Sequence, residues 1–285
     1  MIVFHDPQAA DYSAIGHPER PARVTASAAH LKDAHADWEW RRPNEASEEV
    51  LLRAHSPAHL IRVRAAQHDF DADTAAYEGI FAHASRATGA ACAVAGESLG
   101  GKRAFSLMRP PGHHATREQA MGFCYFNHIA LAALDALERG VPRVAIWDFD
   151  AHHGNGTEAI VRSDQRIAFA SVHQFPGYPG TGTRSSGNVH NFPVPPFAPR
   201  TEHCDAARRA LDTLLKFKPD LLLVSAGFDA FRNDPITQMS LEADDFALFG
   251  KWLRECGVAA GAVLEGGYSD QLPQLIDDFL TSWDA

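Results

Sequence analysis

The sequence predicts an α/β protein built on a parallel sheet covered by helices on both faces, and three observations carry that prediction. Short β-branched or aromatic runs recur along the chain, and alanine- and leucine-rich segments of helical character separate several of them. The run Leu221-Leu222-Leu223-Val224 has no polar alternation, as expected of a strand buried on both sides. Strands alternating with helices favour a parallel sheet, because each parallel crossover needs a connection long enough to hold a helix.

In chain order, strands are expected at residues 2–5, 104–108, 143–149, 167–173, 221–225 and 261–264, each a short apolar run. Helices are expected at 83–99, 127–139, 202–217 and 241–255, where alanine and leucine dominate and breakers such as Gly140-Val141-Pro142 and Lys218-Pro219 punctuate the pattern. The proline-rich stretches 175–179 and 192–199 are too short for linkers and read as ordered loops. With no repeat, low-complexity tail or composition shift, residues 1–285 read as a single domain.

The formal charge of −10, without any lysine or arginine stripe, argues against nucleic-acid binding and is compatible with a cationic substrate. No apolar stretch approaches the roughly 18 to 20 residues that span a bilayer. Cys92, Cys124, Cys204 and Cys256 form no CxxC pair and no leader-like segment opens the chain, so reduced thiols and a cytoplasmic location are expected. Cys124 reads as a small buried packing residue.

The chemistry collects where predicted strands end, the place at which a parallel sheet gathers its ligand sites. "WDFDAHHGNG" sends Asp148, Asp150, His152 and His153 out of an apolar run. If the extended backbone persists, Asp148, Asp150 and His152 share one face, and such a carboxylate pair, once buried, needs a counter-charge such as a divalent metal. A solvated polar turn is the bland alternative. "LLLVSAGFDA" delivers Asp229, "GAVLEGGY" delivers Tyr268, and "AFSLMRPPGHHA" delivers His113 and His114. Alone, the tandem histidines could be a satisfied core pair and Tyr268 a strand cap.

Together, "RPPGHHA", "GFCYFNHIALAA", "WDFDAHHGNGTEAI", "SVHQFPGYPGTG", "SAGFDAFRNDP" and "LEGGY", in this order, resemble the zinc-dependent histone deacetylase superfamily, which includes acetylpolyamine amidohydrolases. "HHGNG" and "AGFDA" are similar to the class II branch and its bacterial relatives. The resemblance implies the arginase/deacetylase fold, with a parallel sheet of about eight strands, two more than the apolar runs suggest. It implies Asp150, His152 and Asp229 as ligands of one Zn2+. It implies His113 and His114 as the active-site histidines, Asp148 and Asn155 as their respective partners, and Tyr268 as oxyanion donor.

The same resemblance implies Phe123, Gly122 and Tyr178 as tunnel walls, Ile236 at the rim and Asp73 as a rim carboxylate. It also implies a monovalent cation, K+ or Na+, at Asp148, Asp150, His152, Ser171 and Val172. His153, off the shared face, reads as structural support, and His55, His59, His83 and His190 as structural or surface residues. In "GHPERPARV", Arg20 and Arg23 lead into a helix, as surface ion pairs or with Arg20 lining an acetate channel.

The activity implied is hydrolysis of the acetyl amide of N-acetylated lysine side chains. A small acetylated amine such as an acetylpolyamine is the second reading. A catalytically idle acetyl-lysine binding module would have lost Tyr268 or the tandem histidines, and all three are present. An arginase-type ureohydrolase would need a second metal with extra Asp and His ligands, which these motifs do not supply.

Overall fold

A computed structural model describes residues 1–285. One parallel sheet of eight strands runs through it: β1 (Ile2–Phe4), β2 (Glu39–Arg41), β3 (Ala104–Ser106), β4 (Val144–Asp148), β5 (Ile167–Gln174), β6 (Val189–Val194), β7 (Leu221–Ala226) and β8 (Ala259–Leu264). Their order across the sheet is β2-β1-β3-β8-β7-β4-β5-β6. The six expected strands are present. The two additions are the edges, and both have the composition of edges. Glu39-Trp40-Arg41 is short and charged, while β6 contains Pro193, which lacks an N–H and is tolerated where one side of the strand needs no partner. Part of the expected loop at 192–199 is therefore strand.

Nine helices cover the sheet: α1 (Ala22–Ala34), α2 (Glu48–Leu52), α3 (Pro57–Ala65), α4 (Ile80–Leu99), α5 (His128–Glu138), α6 (Asn155–Val161), α7 (Arg200–Lys216), α8 (Ala243–Glu255) and α9 (Leu272–Asp284). Their starts follow local chemistry. The Asn127 side chain accepts from Ala130 N at 3.0 Å to open α5, Ser56 caps α3 ahead of Pro57, and Glu242 with Asp245 forms a reciprocal box at α8. No helix is long and apolar enough to cross a membrane.

Strand alternation divides the core. Ala145, Trp147 and Phe149 face α7, α8 and α9 with Val224, Leu264 and Phe279, while Val144 and Ile146 face α4 and α5 with Leu221, Leu223 and Val263. Leu221 to Val224 thus points into both layers, which is why the run has no polar position. At the carboxyl end of the central strands, Asp148 lies in register with Ser171 on β5 and Ser225 on β7. Strands β3, β8, β7, β4 and β5, contiguous in the sheet, are those that feed the polar motifs.

Candidate active site

β4 stops at Asp148, so Asp150 and His152 do not share a face by strand alternation. The loop itself makes them converge: Asp148 Oδ1 accepts from Asp150 N at 3.1 Å and Asp150 Oδ1 accepts from His152 N at 2.9 Å. Such side-chain turns fold each successive polar residue back over the strand end. Asp229 enters from β7 and is fixed by Ala151 N, which donates to its Oδ1 at 2.7 Å. Gly266 N donates to Asp150 Oδ2 at 2.7 Å from the β8 side. His152 Nδ1 lies 2.8 Å from Asp229 Oδ2 and 3.3 Å from Asp150 Oδ1.

The ligand atoms of Asp150, His152 and Asp229 all lie within 4.8 Å of one another. Both carboxylates are fully buried. Backbone amides hold both oxygens of Asp150 and one of Asp229, and the His152 nitrogen is aimed between the two carboxylates. Two buried carboxylates around one imidazole call for a cation, and a His/Asp/Asp set with an open side fits Zn2+. Glycine makes room for the cluster: a Cβ at Gly227 would lie 2.1 Å from Asp150 Oδ2, and one at Gly266 would lie 2.3 Å from Asp229 Oδ2.

The tandem histidines follow β3 on a loop pinned from beneath by Glu265, whose Oε2 accepts from Gly112 N at 2.7 Å and His113 N at 3.2 Å. Ser225 Oγ donates to the other oxygen at 3.1 Å. Burial pushes the Glu265 carboxyl up to about 7. His113 Nδ1 donates to Asp148 Oδ2 at 3.1 Å. Burial opposes its protonation, but the Asp150 and Asp148 carboxylates outweigh burial and raise His113 to about 10. His114 Nδ1 lies 2.7 Å from Asn155 Oδ1. That oxygen only accepts, so Nδ1 carries the proton and Nε2 keeps its lone pair. Burial, with His113 and His152 nearby, lowers His114 well below an ordinary histidine. Their surroundings thus push the two imidazoles in opposite directions.

A cavity of about 280 Å³ leads to these groups, lined by His113, His114, His152 and Tyr268 at its inner end and by Gly122, Phe123, Tyr178, Ile236 and Asp73 along its walls and rim. The Tyr178 ring stands edge-on to His114, centroids 5.0 Å apart, and Phe123 edge-on to Tyr268 at 5.7 Å. Gly122 and Phe123 both have positive φ, 56° and 69°. Asp71 Oδ2 accepts from Gly122 N at 3.2 Å and Thr74 Oγ1 from Phe123 N at 2.9 Å, holding that unusual turn. Asp234 accepts from Tyr268 N at 2.7 Å and Ile236 N at 3.1 Å, so one carboxylate sets both residues. Burial, reinforced by Asp229, raises Asp234 to about 7.

Several site residues escaped the sequence reading. His17 lines the mouth, its ring 4.8 Å from Phe123. Its Nδ1 accepts from Glu19 N at 3.0 Å, so Nε2 donates to Asp73 O at 3.1 Å. Asp71, Thr74, Asp234 and Glu265 act through backbone amides far away in sequence, a relation that no local spacing announces. The arginines of "GHPERPARV" also separate. Arg20 is exposed on an ion pair with Asp270 at 2.5 Å, which removes it from any internal channel. Its neighbour Arg23 is the buried one, donating through Nε to Gly267 O at 2.7 Å, with its guanidinium 4.7 Å over the Tyr268 ring.

His153 turns away to Glu158 and Thr181. His55 is structural, donating to Thr116 O and accepting from Asn127 N. Ser171 Oγ pairs with His173 Nδ1 at 2.9 Å, while His173 Nε2 meets the carbonyl of Gly182. That carbonyl only accepts, so the Ser171 hydroxyl is the donor. Cys124 is buried, its thiol turned to Gly122 O. A second groove, of about 460 Å³ between β2 and α4, is lined by Arg41 and Arg42. Both are spent on carboxylates, Arg41 on Glu39 and Glu97 and Arg42 on Asp6.

Residues 17–282 match the histone deacetylase domain family. A histone deacetylase-like amidohydrolase of Pseudomonas aeruginosa is 36% identical over 282 residues, covering 90% of this chain and 74% of that protein. The crystal structure of the HDA15 HD domain superposes with a TM-score of 0.93 at 30% identity, covering 100% of this chain and 91% of that one. An acetylpolyamine aminohydrolase from Burkholderia pseudomallei superposes with a TM-score of 0.87 at 25% identity, covering 100% and 99%.

Proposed function

Because the chain belongs to the histone deacetylase family, we propose that residues 1–285 form one catalytic domain, a zinc-dependent amidohydrolase that removes acetyl groups from N-acetylated lysine side chains. The observation that carries the reading is the unprotonated Nε2 of His114, fixed by Asn155, at the inner end of a slender cavity shared with His152 of the metal triad. A base, a metal set and a narrow aromatic passage suit a linear acetyl amide.

Zinc held by Asp150, His152 and Asp229 would supply Lewis-acid polarisation of the acetyl carbonyl and acidify the attacking water. His114 Nε2 takes the water proton and returns it to the departing amine. His113, tied to Asp148, stabilises the negative charge that develops. Burial keeps the Tyr268 hydroxyl protonated far above neutral pH, so it serves as a hydrogen-bond donor to the oxyanion. Phe123 and Tyr178 flank the aliphatic arm, Gly122 leaves it room, and Ile236 and Asp73 meet the substrate at the rim. The carbonyls of Asp150 and His152 accept no backbone hydrogen bond, and Ser171 Oγ keeps its lone pairs. These oxygens, with those of Asp148 and Val172, are the ones that would hold the K+ or Na+ of this reading.

Small acetylated amines are the second reading, favoured by the acetylpolyamine aminohydrolase among the structural relatives and by the carboxylate of Asp73 at the rim. Turnover of zinc-loaded protein on an acetyl-lysine peptide and on N-acetylputrescine separates the two. Greater kcat/KM on the peptide is expected, and greater efficiency on the polyamine reverses the order. Two equivalents of manganese with release of urea from arginine would refute both.

A further inference from the structure

We propose that His153 is a positioning residue for the tunnel: it seats the segment carrying Tyr178 and ties it to the helix that holds the catalytic base. This rests on the reading of Tyr178 as a tunnel wall. Residues 175–183 have no helix or strand of their own, so Tyr178 depends on what anchors its flanks. Before it, the Gln174 side chain exchanges hydrogen bonds with Gln238 at 2.8 Å each. After it, Thr181 Oγ1 lies 2.7 Å from His153 Nδ1. Gly182 rests on the same histidine, since a Cβ there would lie 2.6 Å from the His153 ring and 2.5 Å from His173 Nε2.

His153 is itself fixed. It is buried, and its Nε2 donates to Glu158 Oε2 at 2.9 Å, an oxygen also reached by Asn191 Nδ2 at 2.8 Å. That leaves Nδ1 for the Thr181 hydroxyl. Glu158 and Asn155 stand three residues apart on α6, a spacing that shares a helix face. Asn155 orients His114. One short helix therefore sets both the base and, through Glu158, His153 and Thr181, the opposing aromatic wall. Tyr178 and His114 are held at 5.0 Å by a shared brace.

Thr181 is exposed, so its side chain can be changed with little risk to folding. In zinc-loaded protein, Thr181→Val removes the hydroxyl at constant shape and Thr181→Ser keeps it. Losing one hydrogen bond corresponds to about three- to tenfold in an equilibrium. Thr181→Val is expected to speed amide hydrogen exchange across residues 175–182 by that factor. It should raise KM on the acetyl-lysine peptide similarly, with kcat within about twofold and zinc content unchanged. Thr181→Ser should match the wild type in all four. Unchanged exchange in Thr181→Val, or equal effects of Val and Ser, would overturn the proposal; so would a fall in kcat that tracks lost zinc. The exchange measurement does not depend on turnover. A wild-type protein hydrolysing no acetyl amide would refute the functional reading, while Val against Ser still decides the seating of Tyr178.

Discussion

Individual side chains in the cavity are set by partners remote in the chain, and their substitution separates chemistry from scaffolding. Tyr268→Phe removes only the hydroxyl, since the ring remains packed beside Phe123 and under Arg23. It is expected to lower kcat on the order of 100- to 1000-fold with zinc content unchanged; wild-type turnover would remove Tyr268 from the mechanism. At the wall, a Cβ on Gly122 would lie 2.6 Å from His114 Cδ2 and 3.0 Å from Tyr178 Cε1, at a φ of 56°. Gly122→Ala is therefore expected to push apart the groups that define the passage and to lower kcat/KM at least tenfold, read in steady-state kinetics. His113, His114, His152 and Tyr268 line one cavity, with Asp150 and Asp229 beside His152. Asp71, Thr74 and Asp234 were not legible, because an acidic or hydroxyl residue in a loop says nothing about which distant amide it receives.

Among the elements, the strongly apolar ones were legible and the edges were not. β4, β5 and β7 are buried at every position, so their composition alone marks them. β2 and β6 have one neighbour each, and Glu39, Arg41 and Pro193 are what an edge admits. α6 is too short for a periodic signal, yet it organises His114 and His153. Close packing of α8 on α9 provides a test at this scale. Gly250 lies against the α9 backbone, where a Cβ would come within 2.1 Å of Phe279 O. Gly250→Ala should destabilise by about 1–3 kcal/mol through overpacking, read as a lower urea midpoint. Turnover of the folded protein should stay near wild type, since the contact lies outside the cavity.

Over the whole molecule, burial of titratable groups makes stability depend on pH. Burial lowers His55 and His173 to about 3 and His128 and His203 to about 4. Their neutral forms stabilise the fold fully above about pH 6.5, and that stability is lost as pH falls toward their folded values. Glu265 and Asp234, raised to about 7, act oppositely: their contribution is full below about pH 4 and is lost as pH rises to 7. The lowered histidines, His114 among them, outnumber the raised carboxyls, so unfolding takes up protons near pH 5.5 and the unfolding free energy should fall as pH drops through that range. Urea midpoints that stay flat from pH 6.5 to 5 would contradict this. The sequence by itself determined the layered α/β class and the polar groups that close each strand, because burial on both faces and the chemistry of strand ends are written in local composition. Only the tertiary structure decided that strands met in the order 3, 4, 5, 7 and 8 stand as 3-8-7-4-5. It also decided that loop turns rather than strand alternation converge the metal ligands, and that Arg23 rather than Arg20 goes inside. The sheet order and the burial of Arg23 depend on partners remote in the chain, and the ligand loop on side-chain hydrogen bonds between residues two apart; helix and strand periodicity encodes neither.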